Sequence, residues 1–260
     1  MTVVHAHDLV AIATKVLLAA GAPRTAADVV AASLVEAELA GHEEYGVRRL
    51  VTYLQMISTG TMDPKAIPRL GGVRAAAAVV DGRSGFGELA ARVAVEHVRR
   101  LARQYGVASA TVGNCGDVGR LTGYVRTLAA EGAVGVAMCH PRPLAWAAPR
   151  AAGRPPLVAE IPAEAGLAFV IQLVGGLLGG AEPAGGTVIV AIDVAAFRPV
   201  DEFRRHAERL CALLAAAAAP TAVPGEAEAA TRAARVRDGI PVDDKVWSEL
   251  AALPGGPTHH

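Results

Sequence analysis

The sequence predicts a mixed α/β protein with helices at both ends. Apolar residues recur at helical spacing through residues 5–60, and strand-like and helical segments alternate through residues 75–140. Amphipathic helices follow a last strand-like run at residues 185–193. With 260 residues, 52% of them hydrophobic and 19% charged, the chain has the composition of one or two folded domains, which excludes intrinsic disorder.

Three helices are predicted in the N-terminal part. The first runs through AHDLVAIATKVLLAAG and ends at Gly21. Thr25 is the expected N-cap of the second helix, which continues to Gly41. The third follows Gly46 and ends near Gly60. Its apolar face is predicted to contain Val47, Leu50, Val51, Leu54 and Ile57.

The middle part alternates between strands and helices. The predicted elements are a strand at 75–82, a helix at 87–106, a strand at 107–113, a helix at 119–131 and a strand at 133–140. The stretch from Pro141 to Pro162 contains six prolines and no clear periodicity. It is predicted to be a linker or an extended crossing, and it is the best candidate for a domain boundary.

The C-terminal part is again mainly helical. The predicted elements are an apolar helix at 164–180, a strand at 185–193, helices at 201–219 and 225–239, and a short helix that contains Trp247. We therefore divide the chain into an N-terminal helical part (1–74), a reduced central α/β domain that ends in the proline-rich crossing (75–162), and a C-terminal α/β part that packs with the N-terminal helices (163–260).

Composition excludes several classes of function. The chain has 25 basic and 25 acidic residues, only 10 aromatic ones and no basic block, which argues against nucleic-acid binding. Its three cysteines share no metal-ligand spacing, so we expect no disulfide framework and no metal site. The N-terminus lacks a signal-peptide pattern, and no apolar run is long enough to span a bilayer convincingly. We expect a cytoplasmic protein with no membrane partner.

The densest polar cluster is GHEEYGVRRLVTYL at residues 41–54. Arg49 and Tyr53 are four residues apart and share one helix face, while Glu44 and Tyr45 lie at the start of that helix, next to His42. An arginine and a tyrosine beside acids can hold a carboxylate or an enol oxygen. The alternative is a solvated helix face, and spacing alone favours that alternative.

The second cluster is VGNCGDVGRLTGY at residues 112–124, a glycine-punctuated turn between a strand and a helix. Cys115 and Asp117 lie in the turn, and Arg120 lies in the first helical turn. Such turns can bind phosphate, but these glycines match neither a dinucleotide nor a P-loop spacing. A capping turn with a buried free cysteine is an equally good interpretation. Asp117 is either an acid/base group or a salt-bridge partner of Arg120.

These two clusters resemble the malate/L-lactate dehydrogenase family, which is unrelated to Rossmann-type lactate dehydrogenases. The family motif G-h-x-S-H-G-v-x-R-L-x-x-Y corresponds to Gly41–Tyr53, and S-x-H-x-G-r-l-G-x-Y corresponds to Cys115–Tyr124. The resemblance implies a fold with helical N- and C-terminal parts around a mixed sheet. It also implies an ancestry among enzymes that reduce 2-oxo acids or cyclic imino acids with NAD(P)H.

The sequence departs from the family pattern in three places. Glu44 and Tyr45 replace the serine–histidine pair of the first motif, and Asp117 replaces the histidine that the family uses as proton donor. A central block that holds much of the nicotinamide cofactor in the family is missing between Pro155 and Gly166. The cofactor-binding segment is therefore predicted to be largely deleted, and we expect no tight binding of NADH or NADPH.

The main hypothesis from the sequence is a repurposed enzyme that needs no cofactor. It would be a cyclase or isomerase for an apolar intermediate in natural-product or antibiotic biosynthesis. The predicted catalytic residues are Tyr45, Arg49, Asp117 and Glu44, and the predicted substrate-binding residues are Tyr53, Arg120, Cys115 and His42. Two alternatives are an inactive dehydrogenase paralogue that binds a small molecule or a partner, and a truncated NAD(P)H-dependent 2-oxo acid reductase. We expect a homodimer, as is typical of the family.

Overall fold

The computed structural model describes residues 1–139, 143–161, 186–216 and 223–257. Its helices are α1 (Ala6–Ala19), α2 (Arg24–Leu39), α3 (Arg49–Ser58), α4 (Gly87–Tyr105), α5 (Leu121–Ala130), α6 (Val200–Ala216), α7 (Glu226–Asp238) and α8 (Asp244–Ala251). Its strands are β1 (Thr2–Val4), β2 (Arg69–Leu70), β3 (Ala77–Gly85), β4 (Val107–Cys115), β5 (Ala133–Cys139), β6 (Leu144–Ala148), β7 (Leu157–Ile161), β8 (Thr187–Asp193) and β9 (Ile240–Val242).

Seven strands form one mixed sheet in the order β2-β3-β4-β8-β5-β6-β7. Strands β3 and β4 are parallel, and the other neighbouring pairs are antiparallel. The core against this sheet contains Ala90, Ala94 and Val98 from α4 together with Val125 and Leu128 from α5. The predicted α/β class with a mixed sheet is therefore confirmed.

A second core joins the two ends of the chain. Strand β1 pairs antiparallel with β9, although more than 230 residues separate Val4 from its partner Ile240. Leu9 and Leu34 from the first two helices pack in the same cluster as Leu250 of α8. The N-terminal helices are thus held against the C-terminal elements, which fixes the position of α3. The division into three parts remains a prediction.

The helix and strand predictions hold with a few corrections. The predicted Thr25 cap is wrong, because Pro23 adopts an extended conformation and α2 begins at Arg24. The stretch 141–162 is not only a linker, since it contains β6 and β7, which extend the sheet at one edge. The third helix begins at Arg49 rather than directly after Gly46. The predicted helix at 164–180 lies outside the described residues. Among the described helices, none is long and apolar enough to cross a membrane.

The start of α4 touches the motif turn at 115–120 through backbone atoms. A Cβ atom added to Gly87, the first residue of α4, would lie 2.3 Å from the carbonyl oxygen of Gly116 and 2.4 Å from that of Asp117. These distances are far shorter than any ordinary contact of a side chain. Glycine at position 87 is therefore required for the start of α4 to rest on the turn at 115–120.

We predict that Gly87→Ala destabilises the protein by about 1–3 kcal/mol or more, because the added methyl group must push the two turns apart. The matched control is Gly123→Ala in α5, where an added Cβ atom has no neighbour within 4 Å. This control should be neutral or stabilising by up to about 1 kcal/mol, since alanine favours the helix. Urea unfolding of both variants measures the difference, and equal stability would contradict the close approach.

Candidate functional site

The segment before α3 is positioned by a buried glutamate. The Oε1 atom of Glu38 accepts a hydrogen bond from the Val47 N–H at 2.9 Å. A Cβ atom at Gly46 would lie 1.9 Å from this oxygen, so only glycine leaves room for the carboxyl group. Burial raises the pKa of Glu38 from 4.5 to about 7, despite the hydrogen bond from Val47. This carboxyl group fixes the start of α3 and with it the position of Arg49.

An ion pair joins the two sequence motifs. Nη2 of Arg49 lies 2.8 Å from Oδ2 of Asp117, and the two side chains are 17% and 27% exposed. The other oxygen of Asp117 accepts the N–H of Gly119 at 2.7 Å, which holds the carboxylate in its turn. The predicted alternative of an Asp117–Arg120 salt bridge is wrong, because Arg120 pairs with Glu228 of α7 at 2.7 Å.

Arg49 also contacts Tyr53, one helical turn further along α3. Its Nε atom donates to the tyrosine hydroxyl at 3.3 Å, and the guanidinium carbon lies 5.5 Å from the centre of the ring. Tyr53 is fully buried, and its ring packs edge-on against Phe86 at a centroid distance of 5.7 Å. The hydroxyl donates a hydrogen bond to Oε1 of Glu88. Tyr53 therefore links Arg49 to a buried acid.

Glu88 is a site residue that the sequence reasoning missed. It lies in the first turn of α4, and only 2% of its surface is exposed. Its Oε2 atom has no hydrogen-bond partner among the described residues. A usable signal was present, because Glu88, Ala91, Val95 and Val98 follow the spacing of one helix face. An acid that continues an apolar stripe is a buried acid, and it needs a partner from elsewhere in the chain.

The electrostatics of this network favour a charged Arg49 and an uncharged Tyr53. Burial would lower the pKa of Arg49, but the nearby Tyr53, Asp117 and Glu88 raise it overall. Burial and the proximity of Glu88 raise the pKa of the Tyr53 hydroxyl. Burial also raises the pKa of Glu88 from 4.5 to about 7, against the hydrogen bond from Tyr53. At neutral pH, Arg49 is cationic, Tyr53 is neutral and Glu88 is close to its midpoint.

The other predicted residues have different surroundings. Arg120 and His42 line a cavity of about 490 Å³, and Arg120 also lines the larger cleft between α2, α4 and α5. Nδ1 of His42 lies 3.4 Å from Oε1 of Glu44, whose side chain is mostly exposed. Tyr45 is half-buried at the end of the short 3₁₀ helix Glu43–Tyr45. Burial raises the pKa of the Cys115 thiol to about 12, so the group is not a thiolate at neutral pH.

A larger cleft of about 740 Å³ lies between α2, α4 and α5. Its walls include the apolar residues Val29 and Val95, and Glu88 and Tyr124 also line it. The hydroxyl of Tyr124 donates to the carbonyl oxygen of Val118, which ties α5 to the motif turn. The cleft therefore reaches the same buried acid that contacts Tyr53.

The glycine-rich turns among the described residues do not fit a dinucleotide. A pyrophosphate needs open backbone N–H groups at a helix N-terminus. The start of α4 is covered by the Gly116 and Asp117 backbone, and a Cβ atom at Gly116 would lie 2.5 Å from Cε of Met62. Beside the start of α5, the Arg120 guanidinium is already paired with Glu228. Among the described residues, no group of three or more His, Cys, Asp or Glu side chains is arranged to hold a metal ion.

The ion pair of Arg49 and Asp117 joins two motifs on an α/β scaffold. Comparison with known proteins finds the same scaffold among dehydrogenases. A model of the malate/L-lactate dehydrogenase family matches residues 4–173 and 165–251. The chain belongs to the malate/L-lactate dehydrogenase family. Malate dehydrogenase from Pyrococcus horikoshii has the same fold, with a TM-score of 0.89 at 21% identity over 96% of this chain and 93% of that one.

Two relatives illustrate the activities within this family. The chain is 28% identical to Delta(1)-pyrroline-2-carboxylate reductase 1 of Burkholderia ambifaria over 160 residues, which cover 62% of this chain and 46% of the relative. It is 30% identical to ureidoglycolate dehydrogenase (NAD(+)) of Escherichia coli O157:H7 over 128 residues, which cover 49% and 37%. The chain therefore spans less than half the length of either relative.

These names overturn the main functional hypothesis from the sequence. The relatives are reductases and dehydrogenases, which carry out redox chemistry. The hypothesis of a cofactor-independent cyclase or isomerase in natural-product biosynthesis is therefore wrong. It gave too much weight to the replacement of three motif residues. The predicted roles of the individual site residues remain predictions.

We predict that the free energy of unfolding falls as pH rises from about 5 to 7. The folded protein binds more protons than the unfolded chain in this window, since Glu38 and Glu88 titrate near 7 when folded and near 4.5 otherwise. Each group contributes up to roughly 3 kcal/mol below the window, which is lost above it. The lowered pKa of buried His97 works against this trend within the same window. Glu38→Gln should make the fall in stability measured by urea unfolding clearly smaller.

Glu96→Gln is the control for this experiment. The hydrogen bond from Arg99 lowers the pKa of Glu96, so its effect lies on the acid side of the window. A wild-type slope in Glu38→Gln would contradict the raised pKa of Glu38.

Proposed function

We propose that this protein is a nicotinamide-dependent reductase of a cyclic imino carboxylic acid. The observation that carries the proposal is the ion pair of Arg49 and Asp117, which places a cation and an anion side by side. A protonated cyclic imino acid is a zwitterion with a carboxylate and an iminium group on adjacent atoms. Its two charges match the two charges of this pair. The relative from Burkholderia ambifaria is named as a reductase of such a compound, Delta(1)-pyrroline-2-carboxylate.

The roles of the residues follow from their charges. The planar guanidinium of Arg49 can hold the substrate carboxylate through two hydrogen bonds. Binding would release Asp117 from Arg49, so its carboxylate can face the iminium nitrogen. The ion pair within the protein is then replaced by two ion pairs with the substrate, Arg49 with its carboxylate and Asp117 with its iminium group. No charge is left buried without a partner, which limits the free-energy cost of desolvating the charged groups.

The replacement of the family histidine by Asp117 selects among substrates. A ketone needs a proton donor as its oxygen becomes an alkoxide, and a carboxylate in an ion pair with Arg49 is not one. An iminium group already carries its proton, and it is stabilised by a nearby carboxylate. Asp117 therefore favours imino acids over 2-oxo acids. The hydride would come from a nicotinamide cofactor held outside the glycine-rich turns at the starts of α4 and α5.

A second candidate function is binding without turnover. Arg49 and Asp117 already satisfy each other, and the glycine-rich turns among the described residues do not fit a pyrophosphate. A chain of this kind could bind the zwitterion and leave it unreduced. This candidate and the reductase differ in whether NADPH is consumed.

We predict that the protein oxidises NADPH with Δ1-pyrroline-2-carboxylate at least roughly tenfold faster than with pyruvate. Asp117→Asn should lower the rate with the imino acid by roughly 10²-fold, since the iminium loses its counter-charge. Asp117→His should move the preference towards pyruvate, because it restores a proton donor. The absorbance of NADPH measures all three.

Glu96→Gln on the exposed face of α4 should keep the wild-type rates. Equal rates with the two substrates, unchanged in Asp117→Asn, would refute the role of Asp117. If NADPH is consumed with neither substrate but the imino acid binds through Arg49, the second candidate is correct.

We also propose that the protein is a cytoplasmic homodimer. Leu210 and Leu213 of α6 are 55% and 69% exposed, which is unusual for large apolar side chains on one amphipathic helix. The expected result is a dimer by light scattering at micromolar concentration. Leu213→Glu should weaken the dimer if α6 contributes to the interface, and a monomeric wild-type protein would contradict the proposal.

A further inference from the structure

Glu88 is connected to Arg49 by a short chain of hydrogen bonds. Its Oε1 atom accepts the Tyr53 hydroxyl, and the same hydroxyl accepts the Nε–H of Arg49 at 3.3 Å. Asp117 completes the chain on the far side of Arg49 at 2.8 Å. Within the described residues, Glu88 is thus the buried acid on one side of Arg49, and Asp117 is the more exposed acid on the other.

The surroundings of Glu88 support its neutral form. Because Oε2 has no hydrogen-bond partner among the described residues, a full charge on the carboxylate would be stabilised mainly through one oxygen. Burial therefore raises the pKa of Glu88 to about 7. In the protonated form, Oε1 still accepts the hydrogen bond from Tyr53, the proton resides on Oε2, and the buried group carries no charge.

Charged and titratable groups lie on every element around Glu88 and its cleft. They are Tyr53 and Arg49 on α3, Asp117 and Cys115 in the motif turn, Arg120 before α5, Tyr124 and Arg126 on α5, Glu36 on α2, and Arg92 and Glu96 on its own helix. Arg120 is paired with Glu228, and Glu36 is paired with Arg126, so these two contribute little net charge. The charge of Glu88 is therefore felt mainly at Asp117 and at Arg49, the two charged groups nearest to it in this network.

We propose that Glu88 sets the pH range in which the site binds its substrate, and that the substrate carboxylate binds to Arg49 when Glu88 is protonated. An ionised Glu88 adds a second negative charge beside Arg49, next to Asp117. The guanidinium is then neutralised within the protein, and it competes poorly for an external carboxylate. Glu88 is a positioning residue, since it acts through Tyr53 and Arg49. The inference rests on the proposed function of Arg49.

Substrate affinity must then fall as Glu88 loses its proton. A ligand that prefers the protonated form of Glu88 binds more weakly once Glu88 has lost its proton. The loss is tenfold in Kd for each unit by which the bound ligand raises the pKa of Glu88. L-proline is a suitable probe, because it is the reduced form of a cyclic imino acid and remains a zwitterion through this range. Calorimetry gives its Kd from about pH 5.5 to about pH 8.5.

We expect the Kd of proline for the wild-type protein to rise roughly tenfold over this range. Glu88→Gln removes the titrating group with little change of shape, so its Kd should be low and independent of pH. Glu96→Gln, on the same helix and at the same cleft, should keep the wild-type profile. A Glu88→Gln profile that follows the wild type would overturn the proposal.

Tyr53→Phe is a second test that keeps the ring and removes the hydroxyl. The hydrogen-bonded link between Glu88 and Arg49 is then broken, so the Kd should change less with pH than in the wild type. A Tyr53→Phe profile with the full wild-type change would also overturn the proposal.

Arg49→Ala separates this inference from the proposed function. If proline binds the wild type but not Arg49→Ala, and Glu88→Gln keeps the pH dependence, the role of Glu88 alone is wrong. If proline binds at no pH, or equally well to Arg49→Ala, then the substrate role of Arg49 fails and the role of Glu88 fails with it.

Discussion

The ion pair between Arg49 and Asp117 is the interaction on which the arrangement of the site depends. It joins α3 to the turn that follows β4, two segments that lie far apart in the sequence. Glycines at 46 and 87 make the approach possible, because a side chain at either position would overlap its neighbours. A charge pair at the surface contributes little to stability, but this one is largely buried and carries a tyrosine and a second acid behind it.

The chain from Asp117 through Arg49 and Tyr53 to Glu88 places one cation between two acids. Buried polar groups of this kind cost free energy unless every member is paired, and here Glu88 is not fully paired among the described residues. Protonation of Glu88, rather than a second hydrogen bond, removes the cost of burying its charge. A protein that needs only a rigid core has no use for such a group, whereas a binding site that must change its net charge does.

Most of the fold could be predicted from the sequence, because its helices carry clear apolar stripes. Helix α4 was predicted within one residue at each end, as Gly106 closes a long amphipathic pattern. Strands β6 and β7 were missed, since they are short and prolines surround them. The partner of Arg120 was missed for another reason: Glu228 lies 108 residues away, and local spacing carries no information about such a contact. Glu88 could have been found from its place on the apolar face of α4.

The functional hypothesis from the sequence failed at one step of reasoning. It treated the exchange of histidine for Asp117 as a loss of redox chemistry, because a carboxylate is a poor proton donor at pH 7. That argument holds only for a substrate that lacks a proton of its own. An iminium group brings its proton and needs a negative charge beside it, so the same exchange suits one class of substrate and not the other. A carboxylate paired with Arg49 before the substrate arrives is then the preorganised partner of that positive charge.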